Sequence, residues 1–220
     1  QVSFGQDMPY LLQGSSSLVT TSDAGTGIGY TNMRIRGPDL TRINVTVTGV
    51  PLNDAESQGV WWVDLPDIAA SVDNVQVQRG VGTSTNGAAA FGASINLQTQ
   101  EVNREPYAGL SLTGGSFNTL RSTLTLGSGM LRERWAFDGR ISGLRSDGYI
   151  DRASSELLSY FISGGYFHKN TSLRLTVFSG KEKTYQAWDG VPSTMLDTNR
   201  TYNGLGFYIA PDGSAKYYDN

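Results

Sequence analysis

Apolar and polar side chains alternate with a period of two along the second half of the chain. The pattern recurs in five consecutive segments, each about 9 to 11 residues long, which is the length of a tilted strand that crosses a bilayer. The apolar faces include Ala108, Leu110 and Leu112; Leu120, Leu124 and Leu126; Trp135, Phe137 and Ile141; Leu158, Tyr160 and Ile162; and Leu173, Leu175 and Val177. The alternation predicts five antiparallel strands with one apolar and one polar face.

A soluble β-sandwich would show the same alternation, so the period alone does not identify the solvent outside the sheet. Three details favour lipid: a polar face that carries full charges, aromatic residues near strand ends, and connections that differ in length. The charges are Arg121, Arg134, Asp138, Arg140 and Arg174, and the aromatic residues are Phe117, Trp135, Tyr149, Tyr166 and Phe167. We therefore favour a transmembrane barrel and keep the soluble sandwich as the alternative.

Five strands are too few to close a transmembrane barrel, since natural ones have at least about 8. The sequence starts at Gln1 without a Met or a signal peptide. We therefore expect the chain to be mature, trimmed or a fragment, with the remaining strands in another part of the protein.

The first half reads differently, as a small α+β unit with long, Gly-rich loops. Apolar residues at helical spacing predict a short helix from Gln6 to Gln13, which Gly14 ends. Strand-like runs follow at Thr31–Arg36, Ile43–Thr48, Val75–Arg79 and Ser94–Thr99. The run from Asp64 to Asp67 contains Pro66 and is predicted to open another short helix.

Composition excludes several classes of function. Lys plus Arg is 17 against 20 for Asp plus Glu, so the net charge of -3 gives no basic field for nucleic acid. Without Cys and with His168 as the single histidine, no metal site of thiolate or paired histidines is predicted. No carboxylate pair is placed for acid–base chemistry, so we predict no enzyme and no cofactor. The run GTGIG, Gly25 to Gly29, lacks the spacing and the strand–loop–helix setting of a dinucleotide site, so nucleotide binding is not predicted.

Four motifs, in order, carry a resemblance to a known family. They are the helix followed by LLQGSSSLVTTSDAG, then MRIRG, then VTVTGVPLND, and then VDNVQVQRGVGTSTNGAAAFGASINLQT. Residues 1–103 resemble the plug domain of TonB-dependent outer-membrane receptors, and residues 104–220 resemble the first strands of their barrel. The chain departs from the family pattern at Thr48 and Val81, which affects turn chemistry.

The resemblance implies an α+β plug followed by antiparallel strands of a transmembrane β-barrel, which would have about 22 strands when intact. It implies active import of a scarce ligand (siderophore, haem, metal complex or vitamin) across the outer membrane of a Gram-negative bacterium. An oligosaccharide or peptide importer of the same family, and a non-transporting adhesin or structural barrel, are the alternatives. The implied partners are TonB with ExbB and ExbD, outer-membrane lipid, the ligand, the rest of the barrel and, less directly, a surface lipoprotein. TonB would grip a segment upstream of Gln1.

The resemblance also assigns roles to residues. The plug arginines expected to pair with carboxylates on the inner barrel wall are Arg34, Arg36 and Arg79, and solvated arginines at a sheet edge are the alternative. The expected plug turns are Gly37, Gly49, Pro51, Gly80 and Gly92. The candidate ligand-facing residues are Tyr30, Trp61, Trp62, Tyr185, Trp188 and Asp189. Core packing is the alternative for Trp61 and Trp62, and packing among loops is the alternative for Tyr185, Trp188 and Asp189. The resemblance also implies that Gly25 to Gly29 form a flexible, upward-pointing loop.

Overall fold

The structure, a computed structural model, describes residues 4–81 and 91–218. Part of the Gly-rich motif, including Gly87, lies outside the described residues. The described chain forms two packed units. We call residues 4–81 and 91–103 the N-terminal part, and the five-stranded sheet within residues 106–183 the wall sheet.

The N-terminal part is built around a small mixed sheet. Its elements are α1 (Met8–Leu11), β1 (Leu18–Ser22), β2 (Thr31–Ile35), β3 (Ile43–Val47), β4 (Val50–Pro51), β5 (Val72–Arg79) and β6 (Ala93–Thr99), with 3₁₀ turns at Leu40–Arg42, Trp62–Asp64 and Ile68–Ser71. Strands β1 and β2 pair as an antiparallel ribbon, and the sheet order is β4-β3-β6-β5 with β3 parallel to β6. Apolar side chains from β2, β3 and β6 meet Trp62 in one core, where Ile35 and Ile95 are fully buried.

The helix is shorter than the sequence predicts. The predicted span was Gln6 to Gln13, whereas α1 covers Met8–Leu11 and continues only as a turn. Asp7 occupies the N-cap position but makes no side-chain cap bond. Its carboxylate instead accepts a hydrogen bond from Thr31 Oγ1 at 2.9 Å, so a tertiary contact replaces the local one. A single helical turn has too few internal bonds to extend on its own propensity.

The wall sheet consists of five antiparallel strands within the described residues, paired in chain order. They are β7 (Pro106–Gly114), β8 (Leu120–Ser128), β9 (Trp135–Ser146), β10 (Ser155–His168) and β11 (Thr171–Lys183). These strands coincide with the five predicted segments. The long segment after β11 was predicted only as a loop, but it contains a 3₁₀ turn (Ser193–Met195) and a hairpin of β12 (Phe207–Ile209) and β13 (Ala215–Tyr217).

The two faces of the wall sheet have the reverse polarity of a soluble sheet. On the outward face the apolar side chains are exposed, by 56% at Ile141 and by 61% at Leu158. On the inward face, which the N-terminal part covers, polar residues such as Arg140 and Ser163 are buried. A soluble sandwich would bury the apolar face, so this arrangement favours lipid outside the sheet.

The longer connections lie at one end of the wall sheet, which we call the outer end. They are residues 147–154 and the segment after Lys183. In residues 4–81 and 91–218, no helix combines the length and apolar character needed to cross a membrane.

Candidate functional site: the contact between the N-terminal part and the wall sheet

A buried cluster of two arginines and one aspartate joins the N-terminal part to the wall sheet. Arg121 Nη2 on β8 lies 2.8 Å from Asp67 Oδ2, and Arg140 Nη1 on β9 lies 2.9 Å from the same oxygen. The exposed fractions are 0% for the Asp67 side chain, 6% for Arg121 and 4% for Arg140. We call these three residues the arginine–aspartate cluster.

Serine hydroxyls add further hydrogen bonds to Arg140 and Asp67 in this cluster. Arg140 Nε donates to Ser71 Oγ at 2.7 Å, and its Nη1 donates to Ser159 Oγ at 3.1 Å. The Ser142 hydroxyl donates to Asp67 Oδ2. Buried charges are tolerated only when paired and hydrogen-bonded in this way, because each ion loses its hydration.

The backbone places the Asp67 carboxylate between two 3₁₀ turns. Asp67 has a φ of 52° and a ψ of 26°, the left-handed conformation that Asp tolerates better than most residues. This kink separates Trp62–Asp64 from Ile68–Ser71 and directs the carboxylate to the wall. The run from Asp64 to Asp67 is predicted to open a short helix, and the structure has a 3₁₀ turn that ends at Asp64 and another that begins at Ile68.

Two further polar contacts join the units on the same inward face. Arg174 Nη2 on β11 donates to Thr99 Oγ1 at 3.2 Å and to the Gln100 carbonyl. The Asn103 backbone N–H donates to Asp138 Oδ2 on β9 at 2.9 Å. The contact between the units therefore uses charges and hydrogen bonds at several positions, which can break and re-form in water more readily than an apolar core.

At the outer end, three segments meet around the Tyr185 side chain. Tyr185 Oη accepts hydrogen bonds from the backbone N–H groups of Ala24 (3.0 Å) and Tyr30 (3.2 Å) and donates to the Ile28 carbonyl (3.2 Å). The backbone N–H of Tyr149 donates to the Ala24 carbonyl at 2.8 Å. We call the meeting of residues 23–30, 147–153 and 184–203 the outer junction.

Asn203 and Arg152 connect the two wall-sheet segments of the outer junction. Asn203 Nδ2 donates to the carbonyls of Asp151 (3.0 Å) and Gln186 (2.9 Å). Arg152 Nη2 donates to the Asn203 carbonyl at 2.7 Å. The segment after β11 is therefore tied to its neighbouring loop as well as to residues 23–30.

Burial raises the pKa of several groups at or beside the outer junction. It raises the pKa of the Tyr185 phenol still further above neutral pH, so the hydroxyl keeps the proton that it donates to Ile28. It raises the pKa of Asp23 to about 6. Burial and the nearby Glu182 carboxylate also raise the pKa of Asp7.

The three predicted plug arginines lie on the exposed surface of the N-terminal part. Arg34 and Arg36 are exposed on either side of the buried Ile35. Arg79 Nη1 donates to the Ser16 carbonyl at 2.9 Å. None of the three forms an ion pair with the strands that the structure describes, so their pairing with barrel carboxylates stays a prediction.

The predicted turn residues occupy tight backbone positions. Gly37, Gly49 and Gly80 have φ values of 99°, 83° and 89°. At Gly92 a Cβ atom would lie 2.5 Å from the Arg42 carbonyl oxygen, so close packing requires glycine there. Pro51 follows in β4, opposite Thr46.

Four of the six candidate ligand-facing residues are at least partly exposed, and they lie at two separate places. Tyr30 is half-buried and makes edge contacts with Tyr185, at a ring-centroid distance of 6.0 Å, and with Trp188, at 5.7 Å. Trp188 is 52% exposed. Asp189 beside it is exposed. Trp61 lies elsewhere, with Arg34, along a cleft of about 410 Å³.

Two of those candidates require correction. Trp62 is buried in the core of the N-terminal part, because the turn at 62–64 directs its ring inward. Tyr185 is 2% exposed and points into residues 23–30 instead of into solvent. The GTGIG loop, expected to be flexible, is held by this phenol and has Gly27, Ile28 and Gly29 buried.

Sequence reasoning missed the arginine–aspartate cluster. It placed carboxylates on the wall and arginines on the N-terminal part. In the structure the arginines, Arg121 and Arg140, are on the wall sheet, and the carboxylate, Asp67, is on the N-terminal part. The signal available was the set of arginines on the polar face of the strands, since inward guanidinium groups require a carboxylate partner.

These features define a class: a small α+β unit seated by buried polar contacts against the inner face of a sheet whose outer face suits lipid, which is the arrangement of a plugged outer-membrane barrel. Residues 4–94 match the family model described as TonB-dependent Receptor Plug Domain. The N-terminal part is therefore similar to the plug of TonB-dependent receptors, and we call it the plug from here on. Proteins with this plug domain are outer-membrane receptors of Gram-negative bacteria and not enzymes.

Solved receptors share the fold at low sequence identity. The ferric citrate transporter FecA in its unliganded form is 18% identical with a TM-score of 0.69, and the match covers 92% of this chain and 32% of FecA. The copper transporter OprC is 17% identical with a TM-score of 0.69, covering 84% and 30%. The siderophore receptor PirA from Acinetobacter baumannii is 14% identical with a TM-score of 0.66, covering 86% and 31%. The chain thus spans about a third of each receptor's length. No curated protein sequence matches the chain.

Proposed function

We propose that the intact receptor imports a scarce ligand across the outer membrane, driven by TonB together with ExbB and ExbD. The observation that carries this proposal is the arginine–aspartate cluster. It holds the plug firmly while the ion pair is intact, yet the contact is polar and can re-form after a pull. A passive pore or an adhesin has no need for a removable plug.

The ligand class is a siderophore, haem, another metal complex or a vitamin. The solved receptors of the same fold support this range, since they are described as handling ferric citrate, copper and a siderophore. Import of an oligosaccharide or peptide, with or without a surface lipoprotein partner, is the alternative within the family.

Ligand would bind at the outer end, beside the exposed aromatic surface of Tyr30 and Trp188 and the carboxylate of Asp189. Trp61 lies outside the outer junction, so its contribution would depend on the cleft that it shares with Arg34. Arg34, Arg36 and Arg79 would contact carboxylates on barrel strands beyond the five described here. Outer-membrane lipid would cover the apolar face of the wall sheet.

The test is uptake by cells that express the intact receptor, with and without a functional TonB. The probes are radiolabelled iron bound to citrate, to a catecholate and to a hydroxamate, together with labelled copper and cobalamin. We expect one probe to accumulate in a saturable manner only when TonB is present. Equal uptake in cells without TonB would contradict active transport, and binding without uptake in either strain would favour an adhesin.

A further inference from the structure

Tyr185 is positioned by β11 and inserted into the plug. It follows the end of β11 at Lys183 by two residues, and its ring is almost completely buried. The phenol contacts three backbone groups of residues 23–30. At Gly29 a Cβ atom would lie 2.9 Å from the Tyr185 ring, so glycine is required for this close approach.

The same plug loop is bonded to the start of the plug on its other side. The backbone N–H of Asp7 donates to the Gly27 carbonyl at 2.8 Å. Gln6 Nε2 donates to the Thr26 carbonyl at 3.2 Å. Thr31, at the end of the loop, donates its hydroxyl to Asp7 Oδ2 at 2.9 Å. A single loop therefore lies between the segment after β11 and the first described residues of the plug.

We propose that Tyr185 is a positioning residue that couples the outer end of the receptor to the N-terminal segment of the plug through residues 23–30. This inference rests on the proposed function, because it specifies how occupancy at the outer end would be transmitted toward the segment that TonB pulls. With the phenol inserted, the loop holds Gln6 and Asp7. With the phenol withdrawn, the loop and these two residues are released together.

The arrangement favours two discrete states over a gradual change. Withdrawal of the phenol leaves the N–H groups of Ala24 and Tyr30 and the Ile28 carbonyl without this partner, so a half-withdrawn ring gains nothing. Trp188 lies three residues further along the segment and is exposed beside Tyr30. A ligand that contacts Trp188 would therefore act on the segment that carries the phenol.

The test is amide hydrogen exchange of the intact receptor in detergent micelles, comparing the parent protein with Tyr185→Phe. The substitution removes only the hydroxyl and keeps the ring. We expect the amides of Ala24 and Tyr30 to exchange about tenfold faster or more, since they lose a buried acceptor. The informative amide is that of Asp7, which makes no hydrogen bond with Tyr185 and should exchange faster together with those of Ala24 and Tyr30.

The matched control is Tyr149→Phe. Tyr149 packs on the same loop at Gly25, but its phenol makes no hydrogen bond with the described residues. This variant should leave the exchange of Asp7, Ala24 and Tyr30 unchanged. The amide of Val45, which donates to Asn53 Oδ1 inside the plug, should be unaffected in both variants.

Acceleration at Ala24 and Tyr30 without acceleration at Asp7 would overturn the proposal, because Tyr185 would then hold only its own loop. If Tyr185→Phe also speeds exchange of the Val45 amide, the substitution disturbs the whole plug, and the test is then made on the parent protein alone.

Exchange of the parent protein is measured at several low denaturant concentrations. The opening free energies of the Asp7, Ala24 and Tyr30 amides should fall with denaturant along one common slope. A separate slope for Asp7 would refute the coupling.

The outcome is separable from that of the proposed function. Exchange needs neither ligand nor TonB, so unchanged Asp7 exchange alongside TonB-dependent uptake would refute the coupling alone. Coupled exchange alongside uptake that ignores TonB would refute the transport proposal instead.

Discussion

At the scale of single residues, Asp67 is the side chain on which the plug contact depends most. It is fully buried and shared by two arginines that are also buried. Removing one partner of such a group leaves uncompensated charge in a place that water does not reach.

Asp67→Asn tests this dependence while keeping the size of the side chain and its tolerance of the left-handed backbone. We expect the plug opening free energy, from hydrogen exchange of residues 68–79, to fall by about 3 to 5 kcal/mol. The exposed Asp73 provides the control, and Asp73→Asn should change the plug opening free energy little. Equal effects of the two substitutions would contradict the role assigned to Asp67.

Asp23 gives the outer junction a dependence on pH. Its pKa is raised from 3.8 to about 6, so the closed loop retains a proton that the open loop releases within that window. Closed-state stability is therefore greatest at low pH and decreases as pH rises from about 4 to about 6. The raised pKa of Asp7 acts with the same sign.

Asp23→Asn should reduce this slope. The measurement is exchange of residues 24–30 from pH 4 to pH 7, corrected for the intrinsic pH dependence of exchange. A parent loop that becomes more protected as pH rises would show that the sign is wrong, and an unaltered slope in the variant would assign the effect to another group.

The sequence predicted some residues well and others poorly for a physical reason. The alternation of Arg34, Ile35 and Arg36 follows from strand geometry, and the structure buries Ile35 between two exposed arginines. Asp67 is separated from Arg121 by 54 positions and from Arg140 by 73. Pairing over such separations depends on how the units pack, which local pattern does not encode.

At the scale of elements, the wall strands were the most predictable part of the fold. Their period of two is enforced along each strand because one face meets lipid and the other meets the plug. Short elements were missed where no long period exists. Strand β1 alternates over only five residues and β4 covers two, and β12 and β13 cover three each.

If the outward face meets lipid, the cost of placing an arginine on that face should depend strongly on its depth in the bilayer. Ile141 lies in the middle of the outward apolar face, whereas Thr171 is on the same face at the first position of β11, opposite His168. Ile141→Arg should lower folding stability in lipid vesicles by about 2 to 4 kcal/mol, and Thr171→Arg by about 0 to 1 kcal/mol. Urea titration of the intact receptor measures both, and equal costs would mean that this face does not meet a bilayer core.

At the scale of the whole molecule, the plug and the wall sheet are held together by separate polar contacts at different heights. The arginine–aspartate cluster, the Arg174 contacts and the outer junction each connect a plug segment to a different strand or loop. Because these contacts are separate, the plug can detach from the wall sheet in steps that begin either at the outer junction or at the arginine–aspartate cluster. The expected boundary at residue 103 lies in the connection between β6 and β7 and stays a prediction.

The central claim is that the plug separates from the wall during TonB-driven import. The 220 residues contain no cysteine, so an introduced thiol is the one cysteine among them. Ser71→Cys places the thiol at the buried contact with Arg140, and Ser116→Cys places it in an exposed turn as a reference.

The decisive measurement is the rate at which a small maleimide labels Ser71→Cys in living cells. The cells are supplied with whichever of the labelled iron complexes, copper or cobalamin the receptor is found to import. We predict fast labelling only when the probe and a functional TonB are both present, while Ser116→Cys labels in every condition. Uptake at the parent rate with Ser71→Cys fully protected would show that the plug stays seated during transport, and the account would be wrong.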